Sequence, residues 1–187
     1  APRGGAQCPS GGRAGTDMTK IVSDQADGLR RLLARTPTRI LAFTSMLRGM
    51  GVTSVVMNLA AALAQQGRQV LLLDENHLAP ESISRLWGIE AVGSLADVTA
   101  QRMGCDEAAA RAACGVSVLP ALDCPAAFDP QHLQPHQVVL IDARLDTGGN
   151  LSPLARMAGE LLVVLRSDPT AITATYAGIK RLHYAHA

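Results

Sequence analysis

The sequence predicts an α/β fold: a mostly parallel sheet with helices on both faces, preceded by a short N-terminal helix. Residues Arg39–Asn76 read strand, glycine loop, helix, strand, which is one complete βαβ unit. Further continuous apolar runs then alternate with stretches of helical spacing, the pattern of parallel strands covered by helices. Composition agrees. Hydrophobic residues make up 48% and aromatics only 3%, with alanine abundant, which suits tight helix-on-sheet layers better than a β-sandwich. A chain of 187 residues is long enough for one domain with a real core.

The elements follow in order. Residues 1–20 hold a stretch rich in Gly, Ala, Pro and Arg without a period and are expected to be disordered, with Met18 standing where an initiator would. Residues 21–36 read as a short amphipathic helix. Val22, Ala26, Leu29 and Leu33 recur at helical spacing, Ser23 or Asp24 caps, and Arg30, Arg31 and Arg35 favour the C-terminal end. Gly28 weakens it and Thr36-Pro37-Thr38 ends it. Residues 38–187 form the α/β domain. Its first strand is Arg39–Thr44, its loop Ser45–Ser54, its first helix about Thr53–Gln66, and its second strand Gln69–Asp74. Short helices are expected at Glu81–Trp87, at Ser94–Met103 with Ser94 as cap, and at Asp106–Ala113. Strands follow at Val116–Leu119, Gln137–Asp142 and Glu160–Leu165, with a Pro-rich loop at Asp123–Pro135 and a short helix at Ser152–Met157. Pro169 opens a last helix to Leu182.

Several function classes are disfavoured. A net charge of +1 without a charge block offers no broad basic surface for nucleic acid and no electrostatic membrane patch. No run approaches the ~20 apolar residues of a membrane span, and the start lacks the apolar core of a secretory signal. Cys8, Cys105, Cys114 and Cys124 show neither a C-x-x-C pair nor zinc spacing, so reduced cytoplasmic thiols are expected. His132 and His136 are separated by Pro135 and do not form a helical metal pair, so no metal site is expected. No Ser-His-Asp or Cys-His grouping has a catalytic context, and no catalytic residue is assigned.

The chemistry, if any, belongs at the carboxyl ends of the strands. An intact phosphate loop reads G-x-x-x-x-G-K-S/T: backbone N–H groups cradle phosphates, the lysine reaches the terminal ones, and the hydroxyl holds magnesium. Here Met46 stands at the first glycine, Gly51 is present, Val52 replaces the lysine, and Thr53 keeps the hydroxyl. Asp74 and Asp142 end strands and are candidates to orient magnesium or its water, the alternative being that they cap the following loop or helix. Asp168, beside Pro169, reads as a helix N-terminal feature.

Thr44-Ser45, Thr53-Ser54, Asn58-Leu-Ala60, Gly67 and Val70-Leu-Leu-Leu-Asp74 resemble the MinD/ParA family of deviant phosphate-loop ATPases. That family's loop reads roughly S-G-K-G-G-V-G-K-T-T. Ser45, Gly49, Gly51, Thr53 and the hydroxyl of Ser54 agree; Met46, Leu47, Arg48, Met50 and Val52 depart. The family's two lysines fall at Leu47 and Val52, and its second switch aspartate at Asn76. The resemblance implies a vestigial nucleotide site built from Gly49, Gly51, Thr53, Ser54, Asp74 and Asp142, with no cofactor or only weak Mg-ATP, and lost or impaired hydrolysis is its corollary. Loss of the dimer-crossing lysine implies a monomer.

Within the family, Asp24-Gln-Ala-Asp-Gly-Leu-Arg30 matches the D-Q-A-x-x-L-R signature of the flagellar-number regulators called FlhG or FleN, placed as in those proteins just before the first strand. The resemblance runs from about Ile21 to Leu182. It implies that Asp24, Gln25, Ala26, Leu29 and Arg30 contact an FlhF-like GTPase of the signal-recognition-particle type and stimulate it. Family members usually continue into a membrane-targeting helix, so the resemblance implies a truncated or abbreviated member with no stable membrane anchor. Two rival readings remain: a working MinD/ParA-type ATPase in which Arg48 or a partner residue replaces a lysine, and a MinD-like partner in another cell-surface assembly such as polysaccharide secretion.

Overall fold

The computed structural model describes residues 38–122 and 129–186. The expectations for residues 1–20, the helix at 21–36 with its D-Q-A signature, Cys8, Cys124 and the first six residues of the Pro-rich loop lie outside that range.

Six strands form one sheet in the order β3-β4-β2-β5-β1-β6. They are β1 (Arg39–Thr44), β2 (Val70–Asp74), β3 (Ala110–Arg111), β4 (Ser117–Pro120), β5 (Val138–Asp142) and β6 (Glu160–Val163). All neighbours run parallel except β3, which pairs antiparallel with β4 at one edge. Two-residue periodicity sorts the strand side chains into two cores. Leu71, Leu73, Val139, Ile141 and Ala42 face one side with Leu95, Val98, Leu133 and Leu154. Val70, Leu72, Leu140 and Phe43 face the other with Val56, Ala60 and Ile83.

The first helix, α1 (Val52–Gln65), buries Val56 and Ala60 on the second of these faces. Helices α2 (Ile83–Trp87), α3 (Leu95–Thr99), α4 (Cys105–Ala108) and α5 (Pro153–Arg156) are short. Ser94 caps α3 through a reciprocal capping box with Asp97, and Ser152 caps α5. The last helix, α6, spans Pro169–His186, four residues beyond its expected end at Leu182. Asp168 accepts from the Ala171 N–H at its start, the helix role expected of it.

Three expectations need correction. The helix expected over Asp106–Ala113 stops at Ala108, and Ala110–Arg111 pair with β4 instead. Alanine-rich propensity yields because the β4 edge supplies tertiary hydrogen bonds and the turn at Gly115 returns the chain. The helix expected to reach Met103 ends at Thr99, where Gln101 takes a left-handed backbone. The expected loop before Pro135 contains a 3₁₀ turn at Pro130–Leu133 that buries Leu133.

The helix α6 approaches the glycine loop closely. Its buried stripe is Ala171, Thr175, Gly178 and Leu182, and Met46 of the loop lies over Gly178. A Cβ at Gly178 would lie 2.3 Å from Met46 Sδ and 2.5 Å from its Cγ. Alanine is ordinarily ~1 kcal/mol better than glycine inside a helix. Gly178→Ala should nonetheless lower stability in the natural background, and raise it by about 1 kcal/mol when Met46→Gly has already removed the whole side chain, Cβ included. Urea unfolding of the two single variants and the double variant reads that reversal of sign.

Candidate functional site

Strand β1 lies between β5 and β6, so connections leave its neighbourhood in opposite directions: β1 crosses over β5 to reach β2, while β5 crosses over β1 to reach β6. The carboxyl ends of β1 and β5 therefore form a topological switch point, where open α/β sheets hold their ligands. The glycine loop leaves β1 at this point.

The loop conformation rests on two glycines. Gly49 has φ 74° and Gly51 φ 83°, both left-handed, and a Cβ at either would meet nothing within 4 Å. Backbone conformation, not space, demands glycine there. Gly51 is the N-cap of α1, and its carbonyl accepts from the Val55 N–H. Ser45 donates to the Leu47 carbonyl across the start of the loop. Val52, at the lysine position, packs partly buried against the Phe43 and Leu72 core. Leu47 is half-buried, and Arg48 and Ser54 are exposed.

Thr53 Oγ1 donates to Asp142 Oδ2 at 2.7 Å, joining the first turn of α1 to the end of β5. Asp74 and Asp142 are paired neighbours on β2 and β5, and both are buried. Asp74 accepts from the Asn76 N–H at 2.8 Å and the Ile83 N–H at 3.0 Å, so it holds the turn after β2 and the start of α2. This is the capping alternative that the sequence left open. Asn76 also donates through Nδ2 to the Asp142 carbonyl at 3.3 Å.

A third carboxylate, Glu75, went unassigned in the sequence. It is buried and accepts from the Arg144 N–H and from Ser152 Oγ, tying the end of β2 to the segment after β5. The signal was available: a second acidic residue directly after a strand-end aspartate. Burial raises all three carboxyls above their ordinary range. Asp142 rises to about 6 through burial, opposed by the Thr53 hydrogen bond and reinforced by Asp74. Asp74 and Glu75 rise for the same first reason. Among the described residues no Lys or Arg side chain donates to any of the three.

The structure thus brings Gly49, Gly51, Thr53, Asp74 and Asp142 to one end of the sheet, with Ser54 turned outward. Asp24, Gln25, Ala26, Leu29 and Arg30 lie outside the described residues. Of the cysteines described, Cys105 and Cys114 are both free. No three His, Cys, Asp or Glu side chains among the described residues are grouped to hold a metal ion, and no described helix is long and apolar enough to cross a membrane.

A sheet of this order with a glycine loop at its switch point defines a phosphate-loop α/β protein. Solved structures agree: MinD in the MinC:MinD complex of Aquifex aeolicus has a TM-score of 0.60 at 22% identity, covering 79% of this chain and 64% of that one. The kinase domain of the Escherichia coli tyrosine kinase ETK has a TM-score of 0.58 at 18% identity, covering 89% and 71%. Among curated proteins, the antiactivator FleN of Pseudomonas aeruginosa is 32% identical over 166 residues, 80% of this chain and 58% of FleN. The chain is similar to FleN over most of its own length and shares the fold of MinD-type ATPases. It spans rather more than half the length of that relative, at 58%. No protein-family model matches it.

The carboxylate cluster gives stability a definite pH slope. Asp142 titrates near 6 folded against 3.8 as a free side chain, so between those values the folded state holds the extra proton. The stability this contributes is complete below the lower value and is lost as pH rises through the upper one. Asp142→Asn keeps an oxygen for Thr53 and removes the charge. It should be more stable than the natural protein by up to about 3 kcal/mol at about pH 7.5, with the difference closing toward about pH 4. Urea unfolding across that range measures it; a loss of stability at the higher pH would mean that a cation compensates the carboxylate.

Proposed function

We propose that this chain is a regulator of flagellar number or placement that acts on an FlhF-like GTPase through its Asp24–Arg30 segment, with ATP hydrolysis lost or impaired. The observation that carries the reading is the closed state of the loop end. The hydroxyl at the magnesium-binding position of the loop donates to Asp142, and Val52, partly buried against the core, stands at the position of the phosphate-binding lysine. Three buried carboxylates stand beside the loop without a Lys or Arg side chain donating to them among the described residues. A triphosphate here would lack the loop lysine that ordinarily meets its terminal phosphates, since Val52 stands at that position. Similarity to an antiactivator supports the regulatory side of the reading, and the intact D-Q-A-x-x-L-R segment beside a degenerate loop supports separation of the two activities.

In this reading Gln25 supplies a polar group to the nucleotide site of the GTPase, Ala26 and Leu29 pack against it, and Arg30 orients the segment. A polar group acting on the transferred phosphate or its attacking water contributes in the transition state, whereas an apolar anchor contributes to binding in both states.

Calorimetric titration should give a Mg-ATP affinity weaker than millimolar, with no ATP turnover above background and no change of mass on adding Mg-ATP. Micromolar binding, or turnover abolished by Asp142→Ala, would establish a working ATPase instead. A peptide of residues Met18 to Arg35 should stimulate GTP hydrolysis by the cognate GTPase without the α/β domain. Gln25→Ala should remove most of the stimulation and leave binding nearly intact, while Leu29→Ala should weaken binding. If the full-length protein stimulates turnover and the peptide does not, the activity resides in the α/β domain.

A further inference from the structure

The glycine loop is held at its start by a contact with α6. Met46 lies over Gly178, its Sδ 2.3 Å and its Cγ 2.5 Å from the point where a Cβ of residue 178 would stand. The thioether therefore rests directly on the helix backbone. Gly178 belongs to the buried stripe of α6, between Thr175 and Leu182. Ser45 Oγ donates to the Leu47 carbonyl at 2.8 Å, a hydrogen bond that spans Met46 in the chain. Displacing Met46 thus acts on that bond and on the left-handed turn that follows at Gly49.

The other methionines are placed differently. Met57 packs against the core that holds Val56 and Ala60, and Met103 and Met157 pack against the core that holds Leu95 and Leu154. Of the described methionines, Met46 and Met50 belong to neither core, and Met46 is half-buried. A thioether suits the notch at Gly178 because it is apolar, unbranched and polarisable. A sulfoxide does not suit it. Its oxygen is a strong acceptor, and in the middle of α6 the backbone N–H groups are already taken by carbonyls one turn back. An acceptor buried without a donor is costly, so the oxygen turns to water and carries Met46 off the helix.

We propose that Met46 is a site of reversible oxidation by peroxides, and that its sulfoxide releases the glycine loop from α6. The sulfur lone pair attacks one oxygen of the peroxide, the O–O bond breaks, and an S–O bond forms. With hydrogen peroxide, the displaced hydroxide takes the proton from the transferred oxygen and leaves as water. Sulfur loses two electrons and the peroxide gains them. Reduction by a methionine sulfoxide reductase, with thiols as the reductant, returns the thioether and seats the loop again. The device needs no nucleotide and stands independently of the role given to the Asp24–Arg30 segment.

The test treats the full chain with graded hydrogen peroxide. Peptide mass spectrometry locates each added oxygen, and amide hydrogen exchange follows the loop. In the natural protein Met46 should gain an oxygen before Met57, Met103 and Met157 do. Exchange across Met46–Gly51 should then quicken by about tenfold, and a methionine sulfoxide reductase supplied with dithiothreitol should restore the slow rate. Met46→Leu conserves volume and cannot be oxidised. It should exchange slowly and stay unresponsive to peroxide, although it retains Met50. Met46→Gln sets a polar group at similar reach and should exchange quickly with no peroxide present. Three results would each overturn the proposal: Met46 left unmodified in the folded chain at doses that oxidise the core methionines, a Met46 sulfoxide with unchanged exchange, or a Met46→Leu loop that still responds.

Discussion

The hydrogen bond from Thr53 to Asp142 is the contact on which the site is organised. It fastens the first turn of α1 to the end of β5 at the point where the sheet reverses its direction of winding. Asp142 is buried beside Asp74 and Glu75, and each of the three is served by hydroxyl or backbone donors from a different segment. Burying carboxyls is costly, and burial is the leading cause that raises all three above their ordinary range. Such a cluster persists because its donors also hold the loop, the α2 start and the segment after β5 in place.

The loop keeps its glycine framework while its side chains have become those of a core. Gly49 and Gly51 still supply left-handed backbone, but Val52 joins the apolar layer and Met46 lies over Gly178 of α6. The physical consequence is a loop braced from both sides by packing. Conformational stability that a bound phosphate would otherwise supply through backbone N–H groups comes here from van der Waals contact.

Much of this was legible in the sequence. Leu71 and Leu73 on one face with Val70 and Leu72 on the other announce a strand buried on both sides, and β1 begins and ends at the residues its apolar pattern marks. The loop and its missing lysine follow from spacing alone. Three features were not legible for stated reasons. Ala110–Arg111 lie in an alanine-rich helical pattern, and only the free edge of β4 turns them into a strand. Asp74 offered two roles that local sequence cannot separate, since the choice depends on Ile83 arriving nine residues later. Glu75 acquires its partners from Arg144 and Ser152, distant in the chain, so its burial has no local signature beyond an acidic pair.

The central claim is that the loop end is closed on itself and has no place for a triphosphate. Amide hydrogen exchange across Thr44–Ser54 and Asp142–Arg144, recorded with and without millimolar Mg-ATP, addresses it at the residues concerned. The account predicts superimposable protection in the two conditions. Slowed exchange at Gly49, Gly51 and Thr53 when nucleotide is present would contradict it.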